Sequence, residues 1–450
     1  MEREYDLVVI GTGSAGAPCA TECARAGCRV AVVDERPYGG TCLLRGCDPK
    51  KVLVGAAELA DWARRMHDAG VATGTLGIDW PGLMRFKRTF TDPAPAARER
   101  EFREAGIECI HGTARFMSQR VLRVGNRELT ARHILIASGA KPVPLGIDGE
   151  EILKTSEDFL SLEMLPRRIV FIGGGFIGFE FAHVAARCGA SVRIIEQESR
   201  PLRRFDRDLV QRLVEATREL GIDVLLETKA VAFEQHGSGV TVRAQSEGKE
   251  LTFTCDAVVH GGGRVPDLDA LDLDSAGVER TNKGVRVNEF LQSVGNPAVY
   301  AAGDAAGGGG SPLTPVASLE GEVVAYNLLN GNARRVDFTG LASMVYTIPA
   351  LASVGLSEEA ANEKKLAFDV HTAETSQWYS SRRVNEKHSA YKVLTEKSTG
   401  HILGAHIMGP CAEEVVNIFS LAIRANIPSP TLKDALFAYP TGASDIAYML

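Results

Sequence analysis

The sequence predicts an α/β chain: two Rossmann-like strand–helix–strand units followed by a terminal α+β domain. Three observations carry that expectation. "YDLVVIGTGSAGAPCATECARAGCRVAVVDE" runs from an apolar strand through a glycine turn and an amphipathic helix to a second apolar strand ending in acid. The same grammar returns in "RRIVFIGGGFIGFEFAHVAARCGASVRIIEQ", so one supersecondary unit occurs twice. From about Asp337 onward, strand patterns such as "HSAYKVLTEKSTGHILGAHIMG" are joined to helical stretches such as "AEEVVNIFSLAIRANI".

A chain of 450 residues has room for about three domains, because one core rarely grows past ~250 residues. With 45% hydrophobic and 24% charged residues the composition is that of a soluble globular protein. A net charge of −7 leaves no electrostatic footprint for nucleic acid or an anionic membrane. No apolar run approaches ~18 residues, and "MEREYDLVVIGTG" enters a strand without a targeting pattern. Of nine cysteines, Cys19, Cys23, Cys188 and Cys255 sit singly in apolar or helical contexts and read as small buried hydrophobes. A reducing, cytoplasmic location is expected.

In chain order, the first strand is expected over Leu7 to Ile10 and the second over Arg29 to Val33. Between them Gly11 permits a tight turn, Gly13 lets the backbone approach a pyrophosphate, and Gly16 allows close helix-to-strand contact. Asp34 then closes the second strand, placed to hold ribose hydroxyls, with Glu35 as a solvated neighbour. Next comes "GGTCLLRGCDPKK", residues 39 to 51, with Cys42 and Cys47 four residues apart. At this point a redox disulfide, a metal site and two ordinary thiols all remain open. Pro142, Pro144 and Pro166 punctuate the stretch before the second unit and mark a domain crossover.

In the second unit Gly173, Gly175 and Gly178 repeat the fingerprint and Glu196 ends the following strand. A carboxylate there accepts from the 2′-hydroxyl of NADH and repels the 2′-phosphate of NADPH. Arg200, Arg203 and Arg204 read as a solvated helix start, although any of them could turn toward a phosphate. NADH is the expected coenzyme, with NADPH possible. "AGDAAGGGGSPLTP" marks a further boundary, its four glycines at 307 to 310 reading as a flexible loop. The expected limits are 1–149 and 269–336 for the first nucleotide domain, 150–268 for the second and 337–450 for the terminal domain.

Taken together these segments resemble the pyridine nucleotide-disulfide oxidoreductases, the flavoenzyme family of glutathione reductase, dihydrolipoamide dehydrogenase and mercuric reductase. The likeness runs end to end. "GGTCLLRGCDPKK" is similar to the redox-disulfide segment, "ILIASGAKP" to the strand leaving the FAD domain and "GGGFIGFE" to the NAD(P) fingerprint. "GGGRVPD" resembles the return strand, "VYAAGDAA" the flavin-binding aspartate segment, and "TPVASLEGEVVAYNL" with "ALASVGLSEEAA" the start of the dimer domain. The resemblance implies two Rossmann-like domains, for FAD and NAD(P), and a C-terminal α+β dimerisation domain in a homodimer. It implies that Cys42 and Cys47 form a disulfide against the flavin, Cys47 as charge-transfer thiol and Cys42 as interchange thiol. A zinc site would need further ligands at short spacing, and no second Cys or His pair of that kind occurs. It further implies a Lys50–Glu180 pair near the flavin, Phe176 at the nicotinamide pocket, and FAD contacts from Gly40, Thr41, Gly139, Gly303 and Asp304. Gly263 is carried over to the cofactor sites with them.

The sequence also departs from the family. Most relatives end in His-Pro-Thr-x-x-Glu, whose histidine reaches the interchange thiol of the partner subunit; here the register reads "YPTGAS", with Tyr439 for the histidine and Ser444 for the glutamate. Asp445, one place on, is a weak substitute. A positioned imidazole contributes ~10² to 10⁴ in rate, whereas a phenol, with an ordinary pKa near ~10, is a poor base at neutrality. Arg45 and Asp48 stand where relatives carry neutral residues; a guanidinium at 45 would favour the Cys42 thiolate, and a solvated loop residue or a recognition group for an acidic substrate are the alternatives. The tail has no cysteine pair, Cys411 being alone. The expected activity is NAD(P)H-driven reduction of a small-molecule disulfide or related thiol-reactive acceptor. A quinone, metal or other acceptor served from the flavin, a carboxylating thioether-cleaving relative and a non-catalytic flavoprotein are the alternatives.

Overall fold

The computed structural model describes residues 4–74 and 76–450. The described chain divides into two compact units. One takes in the residues up to Lys50 with Arg85–Val143 and Arg264–Phe338; the other takes in Lys51–Met84, Pro144–Gly263 and Thr339–Leu450.

The first unit is built on a seven-stranded sheet. Strand Tyr5–Ile10 lies parallel between Val30–Asp34 and Arg127–Ile136. Val299–Ala301 adds in parallel to the end of Arg127–Ile136, and an antiparallel meander extends the sheet through Val121–Val124 and Ala114–Ser118. Val8, Ile10, Ala31 and Val33 point into one apolar cluster, and Leu7, Val9, Val30 and Val32 into another. Successive side chains of a strand face opposite ways, and here both faces are covered, which is why these strands read as unbroken apolar runs. The register aligns Ile10 with Val33 and with Ile136, and Ile136 with Ala301. Gly11, Asp34 and Gly303 therefore follow their strands at one edge, the carboxyl edge where open α/β sheets take ligands.

The second unit repeats the scheme in a four-stranded parallel sheet, ordered Asp223–Leu225, Ser191–Ile195, Arg168–Ile172, Ala257–His260. Ile172 pairs with both Ile195 and His260, so Gly173, Glu196 and Gly261 share an edge. An antiparallel three-stranded sheet follows over Thr228–His236, Gly239–Ser246 and Lys249–Cys255. The terminal segment forms the expected α+β domain. Its five antiparallel strands are Ala342–Val345, Leu351–Gly355, Ile402–Met408, Ala390–Glu396 and Phe368–Glu374, and helix Ala412–Arg424 buries Val415, Val416 and Phe419 against Val354, Val393 and Ile407.

Within the run Gly307 to Gly310, two glycines stand close to their neighbours. A Cβ at Gly310 would stand 2.6 Å from Glu320 Oε1, and one at Gly307 3.0 Å from the Val285 carbonyl oxygen. These glycines let the chain pass tightly against its neighbours. Among the described residues no helix is long and apolar enough to cross a membrane.

Candidate active site

The cysteine pair straddles a helix break. Cys42 lies on helix Gly40–Arg45 and Cys47 opens helix Cys47–Arg65. Gly46 makes the break, since a Cβ there would come 2.9 Å from the Thr41 carbonyl oxygen. The two sulfurs are not bonded to each other, and each touches the other through a hydrogen bond. Cys47 Sγ also lies 3.4 Å from Thr314 Oγ1, and the Cys42 thiol donates to Asp48 Oδ1 at 3.9 Å.

The environment divides the proton unequally. The Cys42 hydrogen bond, the Thr314 hydroxyl and the Lys50 ammonium outweigh burial and the Asp48 charge, and lower the Cys47 thiol to about 6. Its place at the first residue of a 19-residue helix works the same way, since a helix N-terminus favours an anion. Cys42 moves up, because its hydrogen bond to Cys47, its burial and the Asp48 charge exceed the pull of Thr314. The direction of both shifts favours the thiolate at sulfur 47 and the proton at sulfur 42. Arg45 ends the Cys42 helix half-buried. Thr314, which sequence reasoning did not single out, opens helix Thr314–Asn330 within the quoted "TPVASLEG" segment.

Around the first fingerprint the backbone leaves space that only glycine provides. Gly11 has φ +102°, with its Cβ position 2.2 Å from the Ala137 carbonyl oxygen, and a Cβ on Gly16 would meet the Gly11 oxygen at 2.0 Å. Asp34 accepts from Thr12 N–H at 2.9 Å, Thr12 Oγ1 at 2.7 Å and Arg36 N–H at 3.0 Å. Glu35 is exposed and accepts from Thr113 Oγ1. Gly139 and Gly303 both take positive φ. The Gly303 N–H donates to Glu320 Oε2 at 2.7 Å, and burial pushes that carboxyl up to about 7. Burial also raises Asp304, against the charge of Arg264. This glycine-lined cradle and its paired carboxylates fit the pyrophosphate and ribityl groups of FAD. Gly40, at φ +72°, would bring a Cβ to 2.4 Å from Gly13 Cα. Gly40→Val is therefore expected to weaken flavin binding at least ~10-fold through backbone strain at the cradle, measured as flavin content per chain after purification.

The second fingerprint matches the first contact for contact. Gly173 has φ +103°, with its Cβ position 2.6 Å from the Gly261 oxygen, and a Cβ on Gly178 would stand 2.3 Å from the Gly173 oxygen. Gly175 faces the Gly261 oxygen at 3.5 Å, and Gly263 takes φ +119°. Glu196 accepts from Gly174 N–H at 2.5 Å and Glu198 N–H at 2.8 Å, as Asp34 does from Thr12 and Arg36. The arginines that follow are engaged by carboxylates: Arg200 by Glu359 at 2.8 Å and Arg203 by Glu198 at 3.4 Å.

Lys50 belongs to the first unit, buried, and Glu180 to the second, where its buried Oε1 accepts from Tyr346 N–H at 2.8 Å. Phe176 starts helix Phe176–Arg187 half-exposed. Tyr439 precedes Pro440 through a cis peptide bond and is 77% exposed. Ser444 does not serve it, because the Ser444 hydroxyl donates to the Thr441 carbonyl at 2.6 Å; Asp445 is taken by the Ser380 hydroxyl. Cys411 packs beside Gly442 at the head of helix Ala412–Arg424.

Comparison with known proteins agrees with this arrangement. A family model described as pyridine nucleotide-disulphide oxidoreductase matches residues 5–321, and the dimerisation domain of that family matches 341–449. The chain is 30% identical to a mercuric reductase of Staphylococcus aureus over 99% of its own length and 82% of the relative's. It is also 30% identical to a glutathione reductase of Burkholderia cepacia, over 98% and 97%. Among solved structures, the Cu(II) complex of the HOCl-induced flavoprotein disulfide reductase RclA from Escherichia coli superposes with a TM-score of 0.89 at 28% identity, covering 99% of both chains. Cysteine pair, paired nucleotide cradles and terminal α+β domain thus share one explanation: the chain belongs to the pyridine nucleotide-disulphide oxidoreductase family, as an NAD(P)H-dependent flavin disulfide oxidoreductase.

Proposed function

We propose that the chain is a homodimeric FAD enzyme that uses NADH to reduce a small-molecule disulfide or related thiol-reactive acceptor through Cys42 and Cys47. The observation that carries this reading is the placing of Cys42 and Cys47 side by side across the Gly46 helix break, with Cys47 Sγ beside Thr314 Oγ1 at the start of its helix. FAD and the pyridine nucleotide, when bound, supply the electron pair that restores the dithiol. The Cys42 sulfur attacks one sulfur of the acceptor, forming a mixed disulfide and releasing the first thiol. The Cys47 thiolate, steadied by Thr314 and Lys50, then attacks Cys42 Sγ; the second thiol leaves and the Cys42–Cys47 disulfide closes. Tyr439 serves as a hydrogen-bond donor to the leaving group rather than as a base. The domain limits 1–149 with 269–336, 150–268 and 337–450 belong to the same proposal.

The NADH preference rests on Glu196 and on the carboxylates that occupy Arg200 and Arg203. Glu196→Ala is expected to raise the NADPH-to-NADH ratio of kcat/KM by about 10- to 100-fold, because it removes both an acceptor for the 2′-hydroxyl and a charge that repels the 2′-phosphate. Steady-state kinetics with both coenzymes decide it, and an unchanged ratio removes Glu196 from the specificity argument.

Anaerobic titration with NADH tests the main reading. Long-wavelength thiolate-to-flavin absorption should appear after two electrons per flavin, and its absence would favour a non-catalytic flavoprotein. An acceptor screen on the Cys42→Ser/Cys47→Ser double variant completes the test: surviving reduction would place the acceptor at the flavin. A second reading, a thiophilic metal ion as acceptor, is favoured by the mercuric reductase relative and by the Cu(II) bound to the solved neighbour.

A further inference from the structure

Two departures from the family coincide in this chain. The terminal histidine is replaced by Tyr439, and a carboxylate, Asp48, directly follows the second cysteine of the redox segment. The obvious explanation for Asp48 is local, because an acid in the first turn of a helix offsets the helix dipole. The geometry adds something that explanation does not need: the carboxylate reaches back across the helix break and accepts from the Cys42 thiol at 3.9 Å. Asp48 is exposed and Cys42 half-buried, so an acceptor arriving at sulfur 42 meets the carboxylate as well.

We propose that Asp48 is the proton carrier of the interchange thiol, doing from within the same chain what the family's terminal histidine does from the partner subunit. The inference rests on the disulfide-reductase reading above. As Cys42 Sγ forms its bond to the acceptor, the thiol proton passes to the Asp48 carboxylate, and the acceptor S–S bond breaks. The carboxylic acid returns that proton to the departing thiolate. Cys42-SH and the acceptor disulfide become a mixed disulfide and a free thiol, and Asp48 ends as it began. The charge also bears on which sulfur waits with its proton. The Cys47 hydrogen bond and burial are the main influences that keep the proton on sulfur 42, and the Asp48 charge adds to them, while Lys50 supports the thiolate at Cys47. The carboxylate thus helps to hold the proton in place until an acceptor is present to receive it.

Asp48→Asn separates this role from a structural one, because it moves two measurements in opposite directions. Removing the negative charge eases ionisation of Cys42, so its alkylation by iodoacetamide in the dithiol enzyme, followed by mass spectrometry, is expected to quicken near neutral pH. Turnover with an oxidised small-molecule disulfide is expected to fall about 100-fold, the lower end of the range for general acid–base groups. Asp48→Glu is expected to recover much of that turnover. Wild-type turnover in Asp48→Asn, or a fall in turnover with alkylation slowed or unchanged, overturns the proposal. Cys42→Ser distinguishes the two levels of failure. If it abolishes turnover while Asp48→Asn does not, only the role of Asp48 is lost; if turnover survives it, the disulfide reading falls and this inference with it.

Discussion

Cys47→Ser is expected to abolish both disulfide turnover and the thiolate-to-flavin absorption, whereas Cys42→Ser should abolish turnover alone and leave that absorption present without reductant. The difference follows from the unequal proton affinities of the two sulfurs. In the dithiol the Cys47 thiol is lowered to about 6 by the Cys42 hydrogen bond, Thr314 and Lys50. At pH 7 the thiolate then outweighs the thiol by about ten to one. A serine hydroxyl at 47 cannot hold that charge, and without it nothing resolves the mixed disulfide at Cys42. The loss in rate should be at least ~10³-fold, the scale on which removing a covalent nucleophile acts. The pH dependence has a definite sign. The group is depressed, so its thiolate is present above pH 6 and disappears as the pH falls through that value. In Cys42→Ser the principal hydrogen bond to Cys47 is changed, so the midpoint should move upward. Stopped-flow turnover and a spectrophotometric pH titration of the two variants measure these effects. A Cys47→Ser enzyme that retained the long-wavelength band would assign the thiolate to the wrong sulfur.

What the sequence disclosed and what it concealed differ by distance along the chain. Gly16 and Gly178 were legible because the strain they relieve is local: they face the Gly11 and Gly173 oxygens that the turn itself brings near, whereas the Ala137 and Gly261 oxygens against Gly11 and Gly173 come from adjacent strands. Asp34 and Glu196 were legible because they end strands whose length the apolar run dictates. Thr314 was not, since its contact with Cys47 spans 267 residues and depends on where a separate helix begins. Glu320 was hidden for the same reason, as nothing in "ASLEGE" says that one of its acids turns inward to the Gly303 amide. The close approaches at Gly307 and Gly310 were not legible, because composition says nothing of what a glycine packs against. Asp48 was hidden as well, because sequence spacing gives no sign that its carboxylate reaches across the helix break to the Cys42 sulfur.

Lys392→Ala is expected to destabilise the second unit by about 3–5 kcal/mol, the scale for removing one partner of a buried ion pair. Lys392 is 3% exposed, with its Nζ 3.0 Å from Asp206, 2.6 Å from Asp208 and 2.9 Å from Glu358. Asp206 is itself buried and caps helix Arg207–Glu219 by accepting from Asp208 N–H at 3.1 Å and Leu209 N–H at 3.2 Å. Removing the ammonium takes away the cation that faces the buried Asp206 carboxylate. Exposed pairs such as Arg203–Glu198 should contribute no more than ~1 kcal/mol by comparison. Burial opposes the Lys392 charge, but the hydrogen bonds to Asp208, Glu358 and Asp206 prevail and hold its pKa above the ordinary lysine value. A group raised in the folded state stabilises fully below its unfolded pKa, near ~10.4, so the loss in Lys392→Ala should be constant across neutral and mildly alkaline pH. Urea unfolding of the flavin-loaded protein at several pH values measures it. The Lys392→Met/Asp206→Asn pair should recover part of the stability, because it removes both charges while keeping the volume and most of the helix cap. A single variant no less stable than the wild type would show that water already reaches Asp206, and that the pair is worth no more than one at the surface.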